Sequence, residues 1–374
     1  MEAASAPPAL LGQLAETAHQ LVPNVARKIG DYVQTAATGT AQSFRRGAFR
    51  CIRFQPGSLA EPGGVRDARL EFVRRFLLFL SRQKQLRSWM ETSPAARRLA
   101  TRFVAGETLD DALAVSRRLN QERITVTLDH LGESVSTLKE AAAARDVYLR
   151  TLTAIHDSAI QGNVSLKLTQ FGLDFSYEQC RANVEQLVHC AAERDEFVRV
   201  DMESSEYTDR TLQLVHELHS QTPNVGVVIQ AYLYRSRKDI EALCERRIRV
   251  RLCKGAYLEP AAVAFPKKED VDRNYVELMK LLLDRGEYPA IATHDVHMID
   301  ATREYAAARN LSRDAFEFQM LYGIRRDLQR QLVADGYRLR LYVPFGRAWY
   351  PYYMRRLAER PANVFFILRN LLRS

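Results

Sequence analysis

The sequence predicts an α/β fold: a TIM-like (β/α)8 barrel, distorted, with extra N-terminal helices. Two observations carry this. From Arg123 onward, eight short β-rich runs recur, separated by segments of helix length and helix-like charge patterning. Strands alternating with helices imply right-handed βαβ units and a parallel sheet, and eight such units are the number that closes a barrel. The second observation removes the rival. A doubly wound open sheet typically has fewer strands and places its nucleotide site on a glycine-rich first turn. Neither G-x-G-x-x-G nor G-x-x-x-x-G-K-[ST] occurs, which argues against a dinucleotide Rossmann domain and a P-loop.

Residues 1–68 stand apart. They are rich in Ala, Ser, Thr, Gly and Pro, and their acids are Glu2, Glu16, Asp31, Glu61 and Asp67. Leu10–Val22 can form a helix that Pro23 would end. Gln55–Val65, with Pro56, Gly57, Pro62, Gly63 and Gly64, reads as a linker. The expectation is a disordered or weakly helical extension; its acid-poor, Arg-containing character faintly suggests a transit peptide. Residues 69–374 are expected to hold the barrel and an N-terminal helical arm. That arm starts at Leu70 with L-E-F-V-R-R-F-L-L-F-L, and Thr108-Leu-Asp-Asp opens a further helix with a capping-box-like start. The strands are expected at Arg123–Asp129, Asn163–Thr169, Phe197–Glu203, Val225–Tyr232, Ile248–Lys254, Pro289–His294, Phe316–Leu321 and Arg338–Val343. Tyr177–Glu193 and Asp272–Leu283 carry helical patterns between them.

Composition bounds the class of protein. With 374 residues, 47% hydrophobic and 26% charged, the chain can bury a sizeable core. Its net charge of +9 would suit an acidic partner, but the basic residues are interleaved with acids and form no Lys/Arg-rich tract. Nucleic-acid binding is therefore not expected. The five cysteines are scattered, odd in number and without a C-x-x-C pair, which excludes a disulfide framework and a structural zinc site. A reducing, cytoplasmic setting follows. No apolar run approaches membrane-spanning length, and no signal-peptide pattern is present.

A barrel gathers function at the C-terminal ends of its strands. Polar residues crowd those ends: Asp129 and His130, Lys167, Asp201 and Glu203, Gln230, Arg251 and Lys254, Thr293 to Asp295, Gln319 and Tyr342. In Ile248–Glu259 a strand ends in two cations, Arg251 and Lys254, beside Gly255, which suits an anionic or electron-rich group. The last helix adds Arg355 and Arg356, whose guanidinium groups can grip a carboxylate, with Glu359 spaced to hold either. His294 and His297 lack a third ligand at suitable spacing, so no metal is expected, and His216 and His219 read as surface residues. A Schiff-base lysine of a barrel aldolase or lyase, at Lys254 or Lys167, is the enzymatic alternative. It leaves the paired arginines and Gln230 without a role.

The runs Asp201-Met-Glu203, Val228-Ile-Gln-Ala-Tyr232, Arg251-Leu-Cys-Lys-Gly-Ala-Tyr257, Ala292-Thr-His294, Phe316-Glu-Phe-Gln-Met-Leu321, Tyr342-Val-Pro-Phe-Gly346 and Arg355-Arg-Leu-Ala-Glu359 resemble the proline dehydrogenase family. The likeness runs from about Leu70 to the C-terminus, in family order, and is to the monofunctional bacterial type. The resemblance implies a catalytic (β/α)8 barrel with FAD at the strand ends. It implies oxidation of L-proline to Δ1-pyrroline-5-carboxylate, the first step of proline degradation to glutamate, with electrons passed to a membrane quinone. By position it implies Asp201 and Arg251 as the catalytic pair. It implies Met202, Gln230, Arg251, Lys254, Gly255, Ala256, Thr293 and His294 as flavin contacts, and Lys167, Tyr257, Leu321, Tyr342, Arg355 and Arg356 around the substrate.

Physical roles follow from that resemblance. Arg251 and Lys254 should stabilise negative charge on the reduced flavin. Arg355 and Arg356, with Lys167, should hold the proline carboxylate, and Asp201 should pair with Lys167 or Arg251. Tyr342 should crowd a 4-hydroxyl; a hydroxyproline-oxidising relative is the alternative. A quinone acceptor implies peripheral contact with the inner membrane, through helices at Leu70–Arg82 or Val364–Arg373. A separate pyrroline-5-carboxylate dehydrogenase is an expected partner.

Overall fold

The computed structural model describes residues 87, 90–91, 100–132 and 135–359, with side chains given as far as Arg356. All of them lie in the second of two compact units, Met1–Glu61 and Pro62–Ser374. The expected N-terminal extension, the helix at Leu70–Arg82, the side chain of Glu359 and the segment Val364–Arg373 lie outside the described residues.

The eight β-rich runs form eight strands: β1 (Thr125–His130), β2 (Gly162–Leu166), β3 (Val198–Val200), β4 (Val225–Gln230), β5 (Val250–Cys253), β6 (Ala290–Ala292), β7 (Glu317–Leu321) and β8 (Leu339–Phe345). They pair in parallel in chain order and close, β8 returning to β1. The described helices before, between and after them are α1 (Leu109–Gln121), α2 (Leu138–Asp157), α3 (Tyr177–Ala192), α4 (Thr208–His219), α5 (Ser236–Glu245), α6 (Lys268–Arg285), α7 (Val296–Ala308), α8 (Arg326–Ala334) and α9 (Trp349–Glu359). The staves are uneven. β1 and β8 pair over six positions, whereas β3 and β6 are three residues long.

Strand periodicity sorts side chains into two interiors. Val126, Leu128, Val164, Leu166, Val198, Val200, Leu339 and Leu341 face outward and join the apolar core under the helices. Their alternates Thr127, Asp129, Asn163, Ser165, Arg199, Arg251, Glu317 and Gln319 are equally buried but polar, and line the inside of the barrel. Burial of polar groups is tolerated only with partners. Thr127 donates to Asn163 at 2.6 Å, and Arg340 donates to Glu317 at 2.9 Å and to the Val126 carbonyl at 2.9 Å.

The helix boundaries follow local chemistry. Thr108 caps α1 in a reciprocal capping box with Asp111, as its sequence predicts. The helix expected at Asp272 begins four residues earlier, at Lys268, because Glu269 and Asp270 supply the acids that a first turn favours.

Several helices end in the left-handed region without glycine. Arg123, Ala159 and Arg247 have φ of 61°, 49° and 56°. After each comes a buried isoleucine (Ile124, Ile160, Ile248) whose N–H reaches back to Leu119, Ile155 or Leu243 at 3.0 Å. A left-handed non-glycine residue costs about 1–2 kcal/mol. Ala159 is exposed, so Ala159→Gly is expected to stabilise the fold by about 1 kcal/mol. A higher urea midpoint at unchanged slope would report it.

Candidate active site

The C-terminal ends of the strands form a polar mouth, and Asp201, just past β3, is its hub. Its Oδ1 accepts from Ser165 at 2.6 Å and from Arg251 Nη1 at 2.9 Å. Its Oδ2 accepts from the Tyr342 hydroxyl at 3.0 Å and from Lys167 Nζ at 3.5 Å. Burial works to raise the Asp201 carboxyl, but the charges of Lys167 and Arg251 and the bonds from Ser165 and Tyr342 outweigh it and hold the group below its usual range. Lys167 also lies 3.7 Å from buried Asp129 and donates to Tyr342 at 3.3 Å. Burial, reinforced by Asp129 and Asp201, pushes the Tyr342 phenol well up, so it stays a donor.

One layer behind, the Tyr148 hydroxyl of α2 donates to the Ser165 carbonyl at 2.8 Å, accepts the His130 N–H at 3.1 Å and lies 3.2 Å from Asp129. This phenol, reaching in from the outer layer, ties β1 to β2 at this height.

Arg251 is 6% exposed and sits 5.4 Å over the Tyr342 ring. Its Nε and Nη2 are buried with no hydrogen-bond partner among the described residues. Lys254 is placed differently. Its ammonium contacts Asp272 of α6 and lies 2.7 Å from Asp295, so two carboxylates already surround its charge. Gln230 spans the turn after β5: its amide donates to the Glu203 carbonyl at 2.8 Å and accepts the Ala256 N–H at 3.1 Å. Gly255 has φ of 132°, and a Cβ there would lie 2.5 Å from the Tyr232 ring, so this turn requires glycine.

The remaining sequence-derived residues fall around the same mouth. Met202 and Thr293 are buried, and the Thr293 hydroxyl accepts the Asp295 N–H at 3.0 Å. The Leu321 N–H donates to His294 Nε2 at 2.9 Å, which fixes that ring. Tyr257 is half-buried in the loop after β5. Arg355 and Arg356 are half-buried on α9. Trp349, Tyr350, Tyr352, Tyr353 and Met354 pack that helix against Ala100, Phe103, Val104 and Leu131, with Tyr342 at the edge of the cluster. The helix therefore lies beside the β1 and β8 ends of the mouth, with Arg356 stacked 5.1 Å over Tyr352.

Known proteins agree with this architecture. A family profile described as Proline dehydrogenase matches residues 112–369. Proline dehydrogenase 1 of Bacillus subtilis (strain 168) is 40% identical over 302 residues, covering 81% of this chain and 100% of its own. The chain belongs to the proline dehydrogenase family. As a member it is an oxidoreductase of proline metabolism. Proline dehydrogenase of Deinococcus radiodurans is 42% identical over 281 residues, 74% of this chain and 91% of its own. The crystal structure of proline utilization A from Bdellovibrio bacteriovorus superposes with a TM-score of 0.66 at 29% identity, over 70% of this chain and 32% of that much longer one.

Against that family, the lysine-imine alternative loses its ground. Lys167 and Lys254 are each held by two carboxylates, whereas an imine-forming lysine attacks as the free amine. Burial pushes the Cys253 thiol up to about 12, far from a nucleophile's range.

Ser165 and Tyr148 were not among the expected site residues. Ser165, on β2, stands two positions before Lys167 just past that strand, and that spacing was the signal available. Tyr148 carried none, because a helix pattern does not reveal a phenol that crosses between two strands.

Proposed function

We propose that this chain oxidises L-proline to Δ1-pyrroline-5-carboxylate with FAD, passing the electrons to a quinone. One observation carries the reading. Asp201, Lys167, Tyr342 and Arg251 form a single network at the mouth, and Arg251 keeps two buried donor nitrogens there that no described residue accepts from. Buried donors without acceptors mark a place for an electron-rich group. The residues therefore fit a flavin, with Met202, Gln230, Arg251, Gly255, Ala256, Thr293 and His294 as its surroundings. An FAD held there would supply the hydride acceptor.

The chain's own groups do the rest. Lys167, Arg355 and Arg356 hold the substrate carboxylate and so orient the ring. Asp201 fixes both Lys167 and Arg251, keeping two cations apart and aimed. Arg251 sets positive charge where negative charge develops. That task falls to Arg251 more than to Lys254, because Asp272 and Asp295 already compensate Lys254; the sequence-based expectation gave it to both. Tyr257, Leu321 and Tyr342 wall the ring.

Tyr342 also sets specificity. Its phenol is held by bonds to Lys167 and Asp201, so it cannot swing away from a 4-hydroxyl. Tyr342→Ser is expected to narrow the kcat/KM gap between proline and hydroxyproline by about tenfold. Equal turnover of both substrates by the native enzyme would refute that role. The reading as a whole is tested by steady-state turnover of proline with a soluble quinone analogue. Formation of the cyclic imine with loss of quinone absorbance supports it, and inert protein in the presence of added FAD overturns it.

The quinone acceptor, a separate pyrroline-5-carboxylate dehydrogenase as partner, and peripheral placement at the inner membrane belong to the same proposal and rest on the family resemblance. No described helix is long and apolar enough to cross a membrane.

A further inference from the structure

At the end of the barrel opposite the mouth lies a second polar space, a cavity of about 190 Å³ lined by Arg199, Arg249, Arg340, Glu196, Glu317 and Tyr288 among others. The three arginines stand two residues before Asp201, Arg251 and Tyr342 in sequence, Arg199 on β3, Arg340 on β8 and Arg249 just before β5, so the alternation that builds the mouth also builds this floor. Arg199 is 3% exposed. Its Nη1 donates to the carbonyls of Arg249 at 2.7 Å and Val227 at 3.3 Å, while its Nε is buried with no hydrogen-bond partner among the described residues. Gly226 makes room for it: a Cβ there would lie 2.4 Å from the Arg249 carbonyl and 3.0 Å from Arg199 Nη1.

Charge at the floor is unevenly compensated. Glu317 pairs with Arg340 at 2.9 Å and its charge also acts on Arg199, so one carboxylate serves two arginines. Asp195 is exposed at the rim. Glu196 is half-buried with Oε2 unpartnered among the described residues, and burial raises its carboxyl to about 7, so only part of its negative charge is present at neutral pH. Arg249 is exposed at the rim, its guanidinium 5.2 Å from the Phe197 ring and 5.6 Å from the Tyr288 ring. Arg199 is thus a buried cation that donates to carbonyls and lies 4.8 Å over the Phe197 ring, with Arg249 and Arg340 beside it and Glu317 as the carboxylate whose charge reaches it. A buried guanidinium in that position is stabilised by an anion.

We propose that the barrel floor is a binding site for a small oxyanion, a phosphate or carboxylate, held by Arg199 from within and by Arg249 from the rim. The site is separate from the mouth and independent of the function proposed for it. An anion there would relieve the mutual repulsion of the floor arginines and tie β3 to the segment entering β5.

The test is a titration of the FAD-loaded, full-length protein with inorganic phosphate, and separately with acetate, at ionic strength held constant with chloride. Thermal shift and calorimetry are the readouts. A saturable response is expected to one of the two anions and not to chloride. Arg249→Gln is expected to weaken that affinity by about tenfold. Glu196→Gln removes the nearby acid and is expected to tighten it by about threefold. Either variant leaves the core intact, so both report on binding. No saturable response to phosphate or acetate overturns the proposal. So does a response that Arg249→Gln and Glu196→Gln leave unchanged, since the anion would then be bound elsewhere, the flavin-phosphate region of the mouth included.

Discussion

Replacing Asp201 by alanine is expected to lower kcat/KM for proline by about a thousandfold. This carboxylate is the common acceptor for Ser165, Arg251, Tyr342 and Lys167. Removing it leaves two cations facing each other in a buried site, free to turn from the geometry that orients substrate and charge. Loss of one partner of a buried pair also costs about 3 kcal/mol of stability, so Asp201→Asn is the sharper variant. The amide preserves shape and can still accept, but carries no charge. Activity should fall nearly as far in Asp201→Asn, while the melting temperature falls less.

The pH dependence gives a second readout. The Asp201 carboxyl is held below its ordinary value of 3.8, so its stabilising contribution is present above that pH and is lost as pH falls through the lowered value. Asp201→Asn should lack that acid limb. A variant that keeps wild-type kcat/KM would remove Asp201 from the account.

Arg355→Met and Arg356→Met are each expected to raise KM for proline by about 10–100-fold, with smaller changes in kcat. The aromatic residues that dock α9 are buried in their own cluster, so the helix should remain seated when either charged head is lost. Lysine at either position should restore only part of the loss, because an ammonium cannot present the two-pronged donor set of a guanidinium. Arg356 is stacked on Tyr352, so Arg356→Lys should recover less than Arg355→Lys. Unchanged KM in both methionine variants would move the carboxylate site elsewhere.

The barrel was legible because its eight strands are short, apolar on alternate residues and separated by helices with their own charge pattern. What periodicity could not fix was strand length. The runs ending at Thr169 and Glu203 stop at Leu166 and Val200, where Leu168–Phe171 and Ser205–Tyr207 turn into short 3-10 helices. At the other extreme, β8 continues through Pro344 to Phe345, where the sequence marks a break. Proline is tolerated there because β7 ends opposite Tyr342, so the ladder on that side needs no N–H from position 344, and its carbonyl still accepts from Ala105 at 2.9 Å.

The mouth was legible for a related reason. Asp201, Arg251, Lys167 and Tyr342 lie at or near strand ends, and a barrel brings strand ends together whatever their separation in sequence. The compensation of Lys254 was not legible, because Asp272 sits on α6 and its approach depends on how that helix packs. The floor arginines were visible in the alternation, but a charge inside a strand reads as solvent-facing until closure of the barrel turns it inward.

The central claim is that the mouth holds a flavin which proline reduces. Anaerobic mixing of the purified, FAD-loaded protein with L-proline tests it most directly, followed by the flavin absorbance near ~450 nm. Bleaching of that band with saturable proline dependence, and its loss in Asp201→Ala, is the expected result. A protein that takes up no flavin, or whose flavin stays oxidised under excess proline, would contradict the account.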